Sequence, residues 1–419
     1  MANPKVAGNG TAGGRRGARI LIYSHDSFGL GHLRRCREIA HALVEADDEA
    51  SVLILSGSPI IGSFDFRSRV DFVRIPGVIK LRNGEYTSLT LPLAVEDTLS
   101  LRGSIIKHTA EVFDPDLFIV DKEPLGLRGE VAPTLGLMNQ RGVPCVLGLR
   151  DVMDDPEMLA HEWERKHVLP ALSQHYDDIW VYGLPQICEP LVGLELPPSV
   201  AKRISYTGYL RRPAPAAPQP FYLEKIAEPY VLVTVGGGGD GEAIVDWVLS
   251  AYESDASIPH PALIVLGPFM GSEQQADFMA RVNRLEQVEA LTFHPHVESL
   301  MQRAVGVVCM GGYNTFCEVL SFDKRALMIP RTEPRLEQHM RAARAEDLGL
   351  VRMLEAGRSE RDRSPKAMAT ALKGLPHQAR PSERVIPGLL DGRENVVRLA
   401  EQCLARGRQP HLATARSRG

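Results

Sequence analysis

Three loops in the chain carry residues whose types and spacing could do chemistry. The first, SHDSFGLGHLRRCREIAHAL, sets Gly29 and Gly31 ahead of His32 just after an apolar run. Paired glycines let a backbone come close to a ligand, and a helix N-terminus offers unpaired N–H groups to an anion. His32 has a near-neutral reference pKa suited to a general base. The same residues would also serve a bare strand-to-helix turn with His32 as its cap. The second loop, VGGGGDGEAIVDWVL, runs through Gly236, Gly237, Gly238 and Gly239 into a helix expected to begin around Asp240. It has neither the Lys-Ser/Thr of a Walker loop nor the spacing of a dinucleotide fingerprint. Consecutive glycines at a strand end are costly in entropy, so a ligand against the backbone, a phosphate above all, is the expectation. In the third, GVVCMGGYNTFCEVLSFDKRALMIPRTEPRLEQHM, Gly311 and Gly312 close a strand. A short helix with Asn314 follows, placing Thr315 and Glu318 on one face. A strand to Pro330 then leads to a helix bearing Glu337 and Gln338. A carboxylate such as Glu318 near a helix start can accept two hydrogen bonds from a ribose diol, or it is an ordinary solvated residue.

These loops need a scaffold, and the flanking pattern supplies one. From Arg19 onward, apolar runs of strand length alternate with helical periodicity, the signature of βα units building a parallel sheet. ARILIYS, SVLILSGS, DFVRIPG, DLFIVDKE, PCVLGLRD and DIWVYG read as strands of one sheet. After the first strand, Leu33, Cys36, Ile39, Ala40 and Leu43 share a helix face, with Arg34, Arg37 and Glu38 opposite. RRPAPAAPQP, residues 211–220, forbids both a helix and an inner strand and reads as a stiff linker. The alternation restarts with YVLVTVGGGG, ALIVLGPF, ALTFHP, GVVCMGG, RALMIPR and LVRML. The fold class expected is α/β, two Rossmann-like parallel-sheet domains facing across a cleft. The domains are an N-terminal one over 19–210 and a C-terminal one over 221–405, with tails at 1–18 and 406–419. Ligands of such sheets bind beyond the carboxyl ends of the strands, where the three loops lie.

Composition narrows the function. A chain of 419 residues suits two cores, and 44% hydrophobic with 24% charged residues is ordinary for a soluble globular protein. A net charge of −4 with interspersed signs excludes a field for gripping nucleic acid. Six scattered cysteines without a C-x-x-C pair fit a reducing cytoplasm. The start of the chain lacks an export signal, and no apolar stretch is long enough to span a bilayer. Four arginines and no acid in the last fourteen residues, and the apolar stretch at 76–95, leave peripheral contact with the inner membrane open. The 76–95 stretch could equally line an acceptor groove or be buried. No metal-ligand cluster stands out, and Pro295 turns His294 and His296 apart.

The C-terminal pattern is similar to that of the MurG-type N-acetylglucosaminyltransferases of glycosyltransferase family 28, and more widely to the GT-B enzymes. The family's Gly pair, T-x-x-E, strand ending in Pro, and helix with Q and a following A are matched by Gly311, Gly312, Thr315, Glu318, Pro330, Gln338 and Ala342. The likeness runs from about Ile20 to Leu350 and is strongest between Phe293 and Ala342. It implies that Glu318 holds the ribose hydroxyls and Gln338 the donor sugar. The loop from His294 to His296 would take the base and Gly236 to Gly239 the diphosphate. The loop before His32 resembles the family's G-x-G-G-H loop, in which the histidine faces the donor and is a candidate base. Asp26 and Ser27 depart from its first glycine pair, and Glu337 stands where Gln or His is common. GLGHLRRC also resembles the G-x-G-H-x-x-R-C loop of the UDP-sugar hydrolases of the pseudaminic acid pathway, with His32 and Arg35 matched. UDP-sugar 2-epimerases share the architecture, but their carboxylate-rich sites have no counterpart here.

The resemblance implies an inverting, metal-independent glycosyltransferase that passes a hexose-type sugar from a nucleotide-sugar, a UDP-sugar by expectation, to a sugar, lipid-linked or small-molecule acceptor. The nucleotide-sugar is a substrate, and no cofactor is expected. The alternatives are a UDP-sugar hydrolase of the same fold and a noncatalytic nucleotide-sugar-binding protein.

Overall fold

The computed structural model describes residues 17–26, 31–80, 85–214, 223–237, 239–357 and 363–407. Gly29, Gly238, Ser27, most of the linker and nearly all of both tails lie outside these residues.

The N-terminal half holds strands β1 (Arg19–Ser24), β2 (Ser51–Ser56), β3 (Val70–Arg74), β4 (Val78–Lys80), β5 (Tyr86–Ser88), β6 (Leu117–Asp121), β7 (Cys145–Arg150), β8 (Asp178–Tyr182) and β9 (Ile204–Tyr206). Its helices are α1 (Gly31–Ala46), α2 (Val95–Phe113), α3 (Ala132–Gln140), α4 (Pro156–Arg165), α5 (Val168–His175) and α6 (Pro198–Ala201). Seven strands form a parallel sheet in the order β3-β2-β1-β6-β7-β8-β9, while β4 and β5 pair antiparallel beside it. β6 is buried at every position, as a strand covered by helices on both faces must be, and this is why the apolar runs were readable.

The C-terminal half holds β10 (Val231–Thr234), β11 (Ala262–Val265), β12 (Val288–Leu291), β13 (Gly306–Cys309), β14 (Ala326–Met328) and β15 (Arg352–Met353). Their order, β12-β11-β10-β13-β14-β15, is that of a doubly wound dinucleotide-type sheet. The helices are α7 (Glu242–Ser254), α8 (Ser272–Val282), α9 (Val297–Arg303), α10 (Tyr313–Ser321), α11 (Glu337–Asp347), α12 (Pro365–Gly374) and α13 (Gly392–Gly407). The expected α/β class and paired parallel sheets are present. Two short elements, β9 and the β4–β5 pair, are additions to the expected set.

Each sheet reverses its winding beside its first strand, between β1 and β6 and between β10 and β13. The loops leaving those strands are the ones that carry His32, Asp121, Gly236 and Gly311. The polar face of α1 is not solvated, as its pattern suggested. Glu38 is buried against Arg212 and Arg393, and Arg34 reaches Glu298 and Glu318 of the other half. Helix α13 returns to the first half, packing on α1, with Arg406 paired to Asp178. The chain therefore passes between the halves twice, and the two passages bond side by side through Tyr209 N to Leu389 O (2.8 Å) and Gly392 N to Tyr209 O (3.2 Å). Among the described residues no helix is long and apolar enough to cross a membrane. All six cysteines are free.

The strongest tie between the halves is the Arg341–Asp151 pair, in which Nε meets Oδ2 at 2.7 Å and Nη2 meets Oδ1 at 2.6 Å. Both side chains are fully buried. Arg341→Met should leave a buried carboxylate unpaired and cost about 3–5 kcal/mol, while adding Asp151→Leu should recover much of it. Denaturant unfolding of both variants measures this, and an unchanged midpoint in the single variant would rule out a structural role for the pair.

Candidate active site

The two winding reversals face one cavity of about 450 Å³. Its floor begins with α1, whose start is set by Asp26. That carboxylate accepts from Leu33 N (3.1 Å) and from the Ser56 hydroxyl (2.6 Å), so it anchors the loop rather than meeting a ligand. His32 then sits in the first turn of α1 with its Nδ1 2.5 Å from Asp121 Oδ2, at the last position of β6. Its backbone role as a mere cap is not what this geometry describes, because the ring is held across to another strand.

Asp121 is held from its other oxygen by Arg35, through Nε at 2.9 Å and Nη2 at 2.6 Å. Burial would raise its pKa, but Arg35 and His32 keep the carboxyl well below its usual range, so it stays ionised. A charged carboxylate on Nδ1 fixes the tautomer and leaves Nε2 to take a proton. Burial lowers the pKa of His32, and Asp121 partly offsets this. Arg35 was expected to touch the ligand. It lines the cavity, but its guanidinium is committed to Asp121 and lies 5.4 Å over the Tyr313 ring.

The opposite wall comes from the second half. Gly236, Gly237 and Gly239 line the cavity beyond β10. Gly236 has φ +63°, and a Cβ on Gly237 would meet Phe269 at 3.1 Å, so close backbone approach is built in. Helix α7 starts at Glu242 rather than Asp240. Gly241 precedes it because a Cβ there would lie 2.2 Å from Val235 Cβ, and Asp240 turns to Arg331 instead. Gly312, Asn314, Thr315 and Glu318 also line the cavity, with Gly312 at the start of α10. Gly311 does not line it. Its φ of +78° makes the turn, and its carbonyl accepts from Arg341 (2.9 Å).

Several expected ligand residues already have partners. Asn314 accepts from Arg212 (2.6 Å) and donates to Gly31 O (2.9 Å), tying α10 to the start of α1. Glu318 is buried and paired with Arg34, which also meets Glu298 at 2.8 Å. Burial, countered by Arg34 and reinforced by Glu298, pushes the Glu318 carboxyl up to about 7. Glu337 Oε1 accepts from Arg331 (2.7 Å), but its buried Oε2 has no partner, and Gln338 accepts from Arg331 N (3.3 Å). Both line the cavity. His294 does too, whereas His296 does not; it lies 3.7 Å from Asp65 of the first half. Among the described residues no group of His, Cys, Asp and Glu could hold a metal ion. Leu91 and Leu93 of the 76–95 stretch are exposed and are not part of the cavity wall.

Sequence reasoning missed Asp121, Arg34, Arg150, Arg331 and the Arg341–Asp151 pair. Asp121 was within reach: it ends the strand beside the first one, the position from which a parallel sheet presents side chains to a ligand.

Two doubly wound domains whose strand ends meet over one cavity make the architecture of the GT-B glycosyltransferases. Within it, residues 230–383 match the glycosyltransferase family 28 C-terminal domain. Among solved structures, the chain is similar to the glycotransferase of kitacinnamycin at 15% identity and TM-score 0.61, covering 93% of this chain and 99% of that one. It is similar to Medicago truncatula UGT71G1 complexed with UDP-glucose at 14% identity and TM-score 0.60, covering 93% and 98%. For Acinetobacter baumannii MurG the values are 14% and 0.53, covering 92% and 99%. At such identities the likeness establishes the fold. No curated protein matches the chain.

The His32 environment makes a measurable forecast. Its imidazole should titrate below its ordinary value, and Asp121→Asn should lower it further by removing the charge that favours the imidazolium. NMR titration of the ring protons checks the sign, and an upward move in the variant would contradict the pairing.

Proposed function

We propose that the protein is an inverting, metal-independent glycosyltransferase that uses a UDP-linked hexose. The observation that carries this reading is the His32–Asp121 pair, placed across one cavity from the glycine loop and the N-terminus of α10. The donor would bind mainly to the second half, with Glu318 at the ribose, the Gly236–Gly239 loop and the α10 N-terminus at the diphosphate, and Gln338 at the sugar. His294, in the cavity wall, would meet the base.

His32 Nε2 would take the proton of an acceptor hydroxyl as its oxygen attacks the anomeric carbon. The bond from that carbon to the diphosphate oxygen breaks, the centre inverts, and the departing charge falls on backbone N–H groups rather than on a metal. Asp121 would stabilise the imidazolium as it forms. Glu318 can serve the ribose only if Arg34 shares or releases it, so donor binding and the Arg34 contact between the halves are coupled. A hydrolase differs only in that water replaces the acceptor.

One experiment on UDP-sugars addresses these points together. His32→Ala should cut UDP release by about 10²- to 10⁴-fold while changing UDP affinity far less. Glu318→Ala should raise the UDP dissociation constant about tenfold or more, because charge-assisted hydrogen bonds are lost. Excess EDTA should leave turnover intact. Release without any acceptor would favour hydrolysis, tight UDP binding without release would favour a noncatalytic role, and loss of turnover in EDTA would refute the metal-free mechanism.

A further inference from the structure

Most charges in the cavity wall neutralise one another. Arg35 is spent on Asp121, Arg341 on Asp151, Arg34 on Glu318 and Glu298, and Arg331 on Asp240 and Glu337. Arg150 is different. It ends β7 and lines the cavity, yet its side chain makes no hydrogen bond among the described residues; its Nε is buried without a partner, and the carboxylate it meets is Glu337 at 4.0 Å.

A second cation stands beside it. Lys122 follows Asp121 at the end of the adjoining strand, and its backbone N–H is bonded to Gly148 O (2.7 Å), two residues before Arg150. Its ammonium is largely buried behind the cavity wall, with Glu123 at 3.6 Å, too far for a hydrogen bond, and Glu162 as a more distant counter-charge. Burying cations without full pairing costs several kcal/mol, so a protein keeps such groups where a ligand supplies the missing charge.

We propose that Arg150, with the charge of Lys122 behind it, forms an oxyanion subsite for the acceptor, so that the molecule delivering its hydroxyl to His32 carries a carboxylate or phosphate. The placement favours acceptor over donor. Both residues belong to the first half, at the ends of β6 and β7, the half that also supplies His32 and Asp121. The diphosphate loops belong to the second half. An arginine fork matches the two oxygens of a carboxylate or phosphate, and the lysine adds a point charge. Burial, with Arg150 and Arg335 nearby, lowers the Lys122 ammonium to about 8 despite Glu123, as expected for a cation lacking its counter-charge.

The inference rests on the glycosyltransferase reading, and the test separates the two. Calorimetry on UDP-loaded protein compares glucuronate with its neutral methyl ester, and inorganic phosphate serves as the second anion. Glucuronate should bind about tenfold or more tightly than its ester, as one charge-assisted pair implies. Phosphate binding as tightly as glucuronate would assign the natural group to a phosphate, and weaker phosphate binding to a carboxylate. Arg150→Gln should abolish the preference for the acid, with UDP affinity and melting temperature unchanged. If that variant does not fold, Lys122→Met carries the same comparison. Equal affinity of acid and ester for the native protein overturns the proposal, as does a large loss of UDP affinity in Arg150→Gln, which would assign the arginine to the donor. A native protein that binds no UDP fails the underlying reading instead, and the subsite with it.

Discussion

The buried pair of Arg341 and Asp151 is the constraint on which the site depends. Asp151 directly follows β7 in the first half, Arg341 lies on α11 in the second, and the same guanidinium reaches Gly311 O at the turn into α10. One interaction thus fixes the helix that presents Glu337 and Gln338, the turn that opens α10, and the strand end that presents Arg150. Tyr209 adds its hydroxyl to Asp151 at 2.8 Å, completing the carboxylate's hydrogen bonds. A buried ion pair of this kind contributes little net stability compared with apolar packing, but it tolerates few geometries. What it supplies here is registration of the two sheets.

Beside the apolar packing of Tyr209 on Tyr313 and Phe316, further polar ties cross the seam. Arg34 meets Glu298 and Glu318, and Arg212 meets Glu38 and Asn314. An apolar seam would hold the halves together without specifying which atoms face each other. A polar one, satisfied group by group, leaves only a few groups over, and those few define what the cavity can recognise: His32 for a proton, Glu337 Oε2 for a donor group, and Arg150 for an anion. Chemistry is read here by subtraction.

Much of this was legible in the chain. Most of the twelve expected strands were readable because they are buried on both faces and so appear as uninterrupted apolar runs between turn residues. Strands β5 and β9 are three residues each and only half-buried, so no apolar run marks them. The third loop was informative because its glycines, Thr315 and Glu318 keep a fixed spacing along local structure. Asp121, Asp151 and Arg150 were missed for the converse reason: each is an ordinary residue at a strand end, and its importance arises from partners far away in the chain, as with Tyr209 at 58, Arg35 at 86 and Arg341 at 190 positions. The contacts of Asn314 and Glu38 were out of reach similarly, since a polar residue held by a distant arginine cannot be told by pattern from one bound to ligand or water.

The double passage of the chain between the halves also limits how they can move. The strands through Tyr209 and through Leu389–Gly392 lie against each other so closely that a Cβ on Gly208 would come within 2.2 Å of Gly388 O, and one on Gly392 within 2.5 Å of Tyr209 O. This is a two-ply strap rather than a tether. A single flexible connection lets one body tumble freely against the other, whereas two bonded plies resist twist and leave bending across the strap as the soft direction. Any opening of the cavity would therefore be confined to a swing about one edge, which would keep His32 in register with α10.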